Sequence, residues 1–541
     1  MTRLLVVGLD GGTDAVIGQP DARLPNIAAI RAEGASAELR STVPPITAAA
    51  WPSMMTGWNP GRHGMYDFRT LGIERYSRLW GAGHSASFED GRDFVNSRRW
   101  SGAAFWDQTA GSVAVLSVPM TYPAWPVDGR MVSGFPLPSY DRNHSHPPEL
   151  AGQLPPLLHF ADRIAKLSDE QLAESCRELI ERQREIVMRW LREDEHEVVV
   201  VVFQSTDFAQ HRLWKYLDRP GHPLREALVE MYRAIDEMVG EARALLGADA
   251  AVAVVSDHGF GPHPTRFVRT DAVLRQAGLL VAGEPGGGEG ITRALRRVPA
   301  LRRTLRKLLG RLPTAARDRI AARATGASRV RWSQTAAYRI PLYPPAEGVV
   351  VNLRGRQAEG SVEPGEQYEA VRDRIIAALE QLRDPETGQR VVQWAKRREA
   401  LYSGEHLEQA PDVVALFDPR YKAASGLGET FEPVPQQILD SFSGVHAMEG
   451  IFAISGAGVR AGVDLGTRQI VDVAPTLLAL LGLPVPSDSD GDVMTEALAD
   501  PAAVREGGAS YEQRADAEQP ALTAEEEATL EASLRSLGYL E

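Results

Sequence analysis

Seven short runs of apolar, largely β-branched residues limit what this 541-residue chain can become. They read LLVVGLD (4 to 10), SVAVLSV (112 to 118), VVVVVFQSTD (198 to 207), AVAVVSDHG (251 to 259), GVVVNL (348 to 353), PDVVALFD (411 to 418) and GIFAISG (450 to 456). Apolar residues follow one another in each without polar alternation, so a strand built from them has to be covered on both faces. Helical patterns such as LPNIAAIRAEG, LREALVEMYRAIDEMVGEARALLG and YEAVRDRIIAALEQLRD lie between them. Strands and helices in this order predict an α/β fold, a mostly parallel central sheet with helices on both faces. In open sheets of that kind, ligands gather beyond the carboxyl ends of the strands.

Unusual polar residues stand at those ends. Asp10 closes the first run, within GLDGG, and the adjacent pair Asp257 and His258 closes the fourth, within SDHGFG. The third ends in Asp207 and continues to His211 as DFAQH, a four-residue spacing that puts both side chains on one face if a helix starts there. His446, in SGVHAMEG, stands just before the last run. Singly, each has an ordinary reading: a tight turn for LDGG, a capping pair for Asp207 and His211, a loop residue for His446. An Asp-His pair directly after an apolar strand is harder to explain without a metal or a strong partner, because its desolvation is costly. Three carboxylates and three imidazoles at one sheet edge are a donor set for borderline divalent ions, zinc or manganese. Thr47, in PPITAAAWPSMMTG, falls at or beside a helix start. It is a cap or a nucleophile, and the spacing leaves both open.

Composition narrows the partners. Fifty-nine basic against 72 acidic residues give a net charge of -13, which argues against a nucleic-acid surface and requires a local positive source for any anionic substrate. The single cysteine, Cys176, excludes an intrachain disulfide and a thiolate metal cluster and reads as a small buried apolar residue. MTRLLVVGLDGG enters a strand without a signal-cleavage pattern, and no apolar run is long enough to span a bilayer, so the expected location is cytoplasmic. VGLDGG is an incomplete dinucleotide fingerprint and lacks the Lys-Ser/Thr end of a P-loop.

With these residues assembled, the chain resembles the alkaline phosphatase superfamily, in the branch of the type I phosphodiesterases and nucleotide pyrophosphatases. The resemblance rests on GLDGG, PPITAAAWPSMMTGWNPGRHGMYDF, AFWDQ with VPMTYPAWPVDGRMVSGFPLPS, DFAQH, SDHGFG, GVHAMEGIFAISG and the closing LRSLGYLE, in consistent order over nearly the whole length. It implies an alkaline phosphatase-like core and two divalent ions at the strand ends, zinc in first place and manganese as the alternative. Carried onto this sequence, one ion would be held by Asp207, His211 and His446, and the other by Asp10, Asp257, His258 and the oxygen of Thr47. Thr47 becomes the nucleophile, with coordination lowering the pKa of an otherwise unreactive hydroxyl. The implied activity is hydrolysis of phosphodiester or nucleotide pyrophosphate bonds in a small phosphorylated substrate through a covalent phosphothreonine. A phosphomonoesterase or phosphotransferase of the same superfamily, or a catalytically silent binding protein, is the alternative.

Departures accompany the resemblance. Nucleotide pyrophosphatases often carry an asparagine after the nucleophile helix that binds a phosphoryl oxygen, and here Asp67 and Phe68 stand in that region. Asn59, Arg62, His63, His263 and Arg266 are the substrate-binding candidates near the motifs. Sulfatases of the superfamily need a Cys-x-Pro-x-Arg setting that Cys176 lacks. The expected organisation is a core in two parts (1–270 and 331–500), a basic helical insertion (271–330) read as a cap, and a C-terminal helical tail (501–541) for packing or self-association. A surface for anionic lipid or another anionic partner, with peripheral membrane contact by 291–323, and a solvated helical hairpin are the other readings of the insertion.

Overall fold

The computed structural model describes residues 2–19, 21–74, 76, 94–138, 142–154, 157, 161–193, 195–283, 330–508 and 522–539. Its strands as far as residue 469 are β1 (Leu4–Leu9), β2 (Ala35–Arg40), β3 (Val113–Val118), β4 (Gly129–Ser133), β5 (Ser145–His146), β6 (Val198–Phe203), β7 (Ala251–Val255), β8 (Gly259–Pro262), β9 (Arg266–Arg269), β10 (Ala337–Ile340), β11 (Ala346–Val351), β12 (Val392–Arg397), β13 (Val413–Phe417), β14 (Tyr421–Ala424), β15 (Phe431–Pro433), β16 (Gly444–Ala447), β17 (Glu449–Gly456) and β18 (Val463–Gln469). Nine of them form a central sheet in the order β18-β2-β17-β7-β1-β6-β3-β4-β5. The run β7-β1-β6-β3-β4 is parallel throughout, while β17 runs antiparallel to both β7 and β2.

The middle strands β1, β3, β6 and β7 are buried at every position, as unbroken apolar runs require. Helices cover them, among them α1 (Asp14–Ile17), α2 (Pro25–Glu33), α3 (Thr47–Thr56), α4 (Pro60–His63), α5 (Asp169–Glu193), α6 (Ser205–Leu213) and α7 (Ala227–Leu246). Cys176 is buried on α5.

Two of the seven predicted strands lie elsewhere. β11 and β13 belong to a separate antiparallel sheet ordered β10-β11-β13-β12. Their unbroken apolar character has the same cause in a different place, since this sheet too is covered on both faces. Val349, Val351, Val413 and Ala415 pack into one cluster with Ile375 and Leu379 of the helix Glu366–Glu380, while Val350 and Val414 face a second cluster with Tyr66, Leu71 and Tyr402. An apolar run reports two-sided burial and not strand direction.

Of the region read as an insertion, 284–329 lies outside the described residues, and with it the cap and lipid readings of 291–323. Among the described residues no helix is long and apolar enough to cross a membrane. In the tail, the helix Ala524–Ser536 is capped by Thr523 and Glu526 in a reciprocal pair of hydrogen bonds. Leu534 and Leu537 enter the main core.

One close approach fixes how α3 meets the sheet. A Cβ built on Gly8 of β1 would lie 2.4 Å from the ring of Trp51 and 2.8 Å from Val202, so only glycine lets the indole lie flat on the strand. Replacing Gly8 by alanine is expected to cost about 1–3 kcal/mol by overpacking. A lowered denaturation midpoint reads that cost, and an unchanged midpoint would show that the indole has room to move.

Candidate active site

The topology collects the predicted polar residues at one edge. Asp10 follows β1 by one residue, and Gly11 behind it turns the chain in the left-handed region at φ 65°. β6 leads into α6, which carries Asp207 and His211 one turn apart. Asp257 and His258 follow β7. Because β17 runs antiparallel to β7, its start lies at the carboxyl edge of the parallel strands. His446 precedes it on β16, whose register with β8 sets His446 opposite Phe260. The rings of His446 and His258 then stack with centroids 3.6 Å apart. β2 also points to this edge and delivers the chain to Thr47 at the first position of α3.

All seven of these residues are buried, none more than 3% exposed. Two groups present ligand atoms lying within 4.8 Å of one another, Asp207 with His211 and His446, and Asp10 with Asp207 and His258. Asp207 therefore belongs to both. Asp257 adjoins the second group, its Oδ2 lying 3.3 Å from His258 Nε2 while its Oδ1 accepts the Gly11 N–H at 3.0 Å.

The imidazoles show what the arrangement requires. Each Nδ1 faces a backbone carbonyl: His211 that of Gly444 at 3.3 Å, His258 that of Gly259 at 3.0 Å and His446 that of Pro45 at 2.8 Å. A carbonyl only accepts, so a ring hydrogen stands on each Nδ1, and in the neutral state each ring turns a bare Nε2 into the site. His211 and His446 bring these lone pairs within 3.3 Å of each other, and His446 Nε2 lies 3.0 Å from Asp207 Oδ1. Asp207 Oδ1 and Asp257 Oδ2 are buried and receive no hydrogen bond. Acceptors facing acceptors in a buried volume call for a cation, and an imidazole held through its other nitrogen is the usual metal ligand. The residues fit divalent metal.

The carboxyls respond in two ways. Burial, then repulsion by Asp257 and Asp207, pushes the Asp10 carboxyl well above its usual range, and burial does the same to Asp257. Burial also opposes ionisation of Asp207, but His211 and then His446, in their protonated state, outweigh it by charge and hydrogen bonding and hold this carboxyl well below its usual range. Burial and the neighbouring His446 depress His258, and burial depresses His446, so both rings are neutral donors.

Thr47 does not cap α3, whose N-cap residue is Ile46. Its Oγ lies 3.3 Å from Asp10 Oδ1, 3.4 Å from His258 Nε2 and 3.1 Å from the hydroxyl of Tyr539. Trp51, one turn on, donates its indole N–H to Asp10 Oδ2 at 3.3 Å.

A match to the family model of type I phosphodiesterase/nucleotide pyrophosphatase runs from residue 4 to residue 446. The chain belongs to this family. Among curated proteins none matches it. As a member of a family of phosphodiesterases and pyrophosphatases it is a hydrolase, and a small phosphoester substrate fits that membership. Metal dependence goes with the family, and the Asp/His groups described above are where this chain can hold the metal.

The five substrate-binding candidates have other engagements. Asn59 caps α4 through the Gly61 N–H and donates to Asp490 and Ser403. Arg62 pairs with Asp488 and Asp490 and lies over the Trp58 ring. His63 is buried against the Ser53 hydroxyl at 2.8 Å, and burial, then His406, lowers its pKa to about 3. Arg266 forms a two-pronged pair with Glu386. His263 donates from Nδ1 to the Pro264 carbonyl at 2.7 Å and from its main-chain N–H to the Ser443 carbonyl, while the Ser443 N–H donates to the carbonyl of His211. Its pKa falls to about 4 through burial, then Lys422.

Two residues escaped the sequence reading. Trp51 lay inside a quoted motif without a role. Tyr539 lies in a tail read as packing or self-association; the signal was Gly538, whose φ of 80° ends the helix. For the metal groups, the expected stoichiometry after dialysis of the loaded protein is two divalent ions per chain, falling to about one in His446→Ala. Elemental analysis reads this, and an unchanged ratio would remove His446 from the ligand set.

Proposed function

We propose that this hydrolase cleaves phosphodiester or nucleotide pyrophosphate bonds through a covalent phosphothreonine on Thr47, at a centre for two divalent ions, with zinc as the first choice and manganese as the second. One observation carries the reading: the buried Thr47 hydroxyl leaves its capping role and stands within 3.4 Å of both Asp10 and His258.

The residues have distinct tasks. Asp10 accepts the Thr47 hydroxyl hydrogen, and Trp51 orients that carboxylate. The N-terminal end of α3, where Thr47 sits, turns its positive dipole end toward an incoming phosphoryl group. Divalent ions, when bound, supply the charge that lowers the hydroxyl's pKa and stabilises the phosphoryl oxygens. In the first half reaction the Oγ–phosphorus bond forms, the hydroxyl proton passes by way of Asp10 to solvent, and the bond from phosphorus to the leaving oxygen breaks, that oxygen taking up a proton from water. In the second, water attacks the phosphothreonine; its oxygen bonds phosphorus, the Oγ–phosphorus bond breaks, and threonine regains a proton. Phosphate ester hydrolysis is so slow unaided that a single general base, worth about 10²–10⁴-fold, is insufficient. The acidic protein thereby gains its local positive source, since two divalent ions outweigh the three carboxylates of Asp10, Asp207 and Asp257.

The test combines substrates and one substitution. Bis-p-nitrophenyl phosphate and a dinucleotide are expected to be hydrolysed, p-nitrophenyl phosphate more slowly, and chelation is expected to abolish all three activities. Thr47→Ala should retain bound metal, lose more than about 10³-fold in kcat and yield no acid-stable phosphoprotein, whereas wild type is labelled in a quenched reaction. Full turnover by Thr47→Ala would end the covalent route, and a preference for the monoester would move the reading to a phosphomonoesterase.

A further inference from the structure

The Tyr539 hydroxyl stands beside the Thr47 oxygen that would carry a phosphoryl group. Its hydroxyl donates to Asp207 Oδ2 at 2.9 Å and lies 3.1 Å from Thr47 Oγ, so it touches the shared carboxylate of the two metal groups and the reacting oxygen together. We propose that Tyr539 is a catalytic residue of this site, its single phenol O–H leaving Asp207 Oδ2 and turning to donate to a nonbridging oxygen of the phosphoryl group carried on Thr47. The assignment rests on the function proposed above and adds to it a neutral hydrogen-bond donor from the C-terminal tail.

The seat of this residue is built. The helix Ala524–Ser536 ends in a pair of closing bonds, Tyr539 N–H to the Leu534 carbonyl and Gly538 N–H to that of Arg535, with Gly538 in the left-handed conformation. This termination turns the chain off the helix axis and sends the next side chain inward. Leu530, Leu534 and Leu537 are buried behind it, and Tyr539 itself is 7% exposed. The phenol ring packs edge-on against Phe68 at 4.7 Å and His211 at 5.7 Å, with Tyr343 at 5.5 Å.

Chemistry favours the phosphoryl oxygen as the hydrogen's destination. An oxygen on phosphorus bonded to Thr47 Oγ lies one atom beyond it, inside the reach of a hydroxyl already 3.1 Å from that Oγ. Among the groups in contact with Thr47 Oγ, Asp10 and the bare Nε2 of His258 are acceptors; the phenol is the neutral donor. Donors aimed at oxygens that gain charge in the transition state contribute strongly in a buried site. Phe68, in the region where the amide of related enzymes is missing, supplies the surface the phenol ring leans on.

Tyr539→Phe removes the hydroxyl and keeps the ring. In the metal-loaded full chain, kcat/KM for bis-p-nitrophenyl phosphate is expected to fall about 10–10²-fold. The affinity for inorganic phosphate, measured by calorimetry, should weaken by a similar factor, with metal content and melting temperature as in wild type. Unchanged phosphate affinity and turnover would overturn the assignment, and so would tighter phosphate binding or faster turnover, which would make the hydroxyl an obstruction. Phosphate binding does not depend on turnover. Weaker binding in Tyr539→Phe alongside a wild type that hydrolyses none of the substrates would support the donor and sink the hydrolase reading alone.

Discussion

The burial of three carboxylates beside three imidazoles is the constraint on which the rest of the structure depends. Such a cluster is costly in a dry interior, because ionised groups lose hydration and like charges repel. Among the described residues no arginine or lysine pairs with these carboxylates; the imidazoles give their Nδ1 hydrogens to backbone carbonyls and turn Nε2 inward. What remains is a volume lined by acceptors, stable when a cation enters and strained when none does. Every adjacent feature follows from that demand: Gly11 bends so that its N–H reaches Asp257, Trp51 steadies Asp10, and β16 folds back to stack His446 on His258.

Much of this was legible because strand ends are easy to read. A run such as VVVVVF has few alternatives to a doubly covered strand, and a polar residue immediately after it has few alternatives to the sheet's carboxyl edge. Asp10, Asp207, His211, Asp257, His258 and His446 could therefore be gathered without coordinates. Strand direction was not legible, and β11 and β13 accordingly fell into a different sheet from the one expected. Tyr539 was hidden for another reason. Its position depends on where an entire helix docks, and docking is decided by Leu534 and Leu537 meeting a surface made by distant segments. Local pattern announces a helix and its glycine stop but not what lies beyond the stop.

The chain's negative balance and its phosphoester chemistry are reconciled by scale. Net charge acts at long range, where salt screens it, whereas the site acts over a few ångströms in a medium that screens little. The positive end of α3 and the ions that the acceptor-lined volume demands act together there. Family membership fits this division, since hydrolysis of a phosphoester needs local stabilisation of charge more than a basic surface.

Precision in such a site comes from the sheet and not from its loops. Asp10 lies one residue beyond β1 and Asp257 two beyond β7, and these strands are in register from Leu4 with Ala251 to Gly8 with Val255. β1 is likewise in register with β6 up to Leu9 with Phe203, the residue from which the chain turns into α6 and Asp207. A slip of one residue in β1 would reverse the face of every side chain on it and carry Asp10 away from Trp51 and Thr47. The apolar strands that look least concerned with chemistry are thus what sets the spacing of the carboxylates. Residues on such rigid supports hold catalytic geometry with less reorganisation than loop residues can. Thr47 and Tyr539, which arrive from α3 and from the tail, meet that frame only after both have packed on it, so the complete site is a property of the whole folded chain.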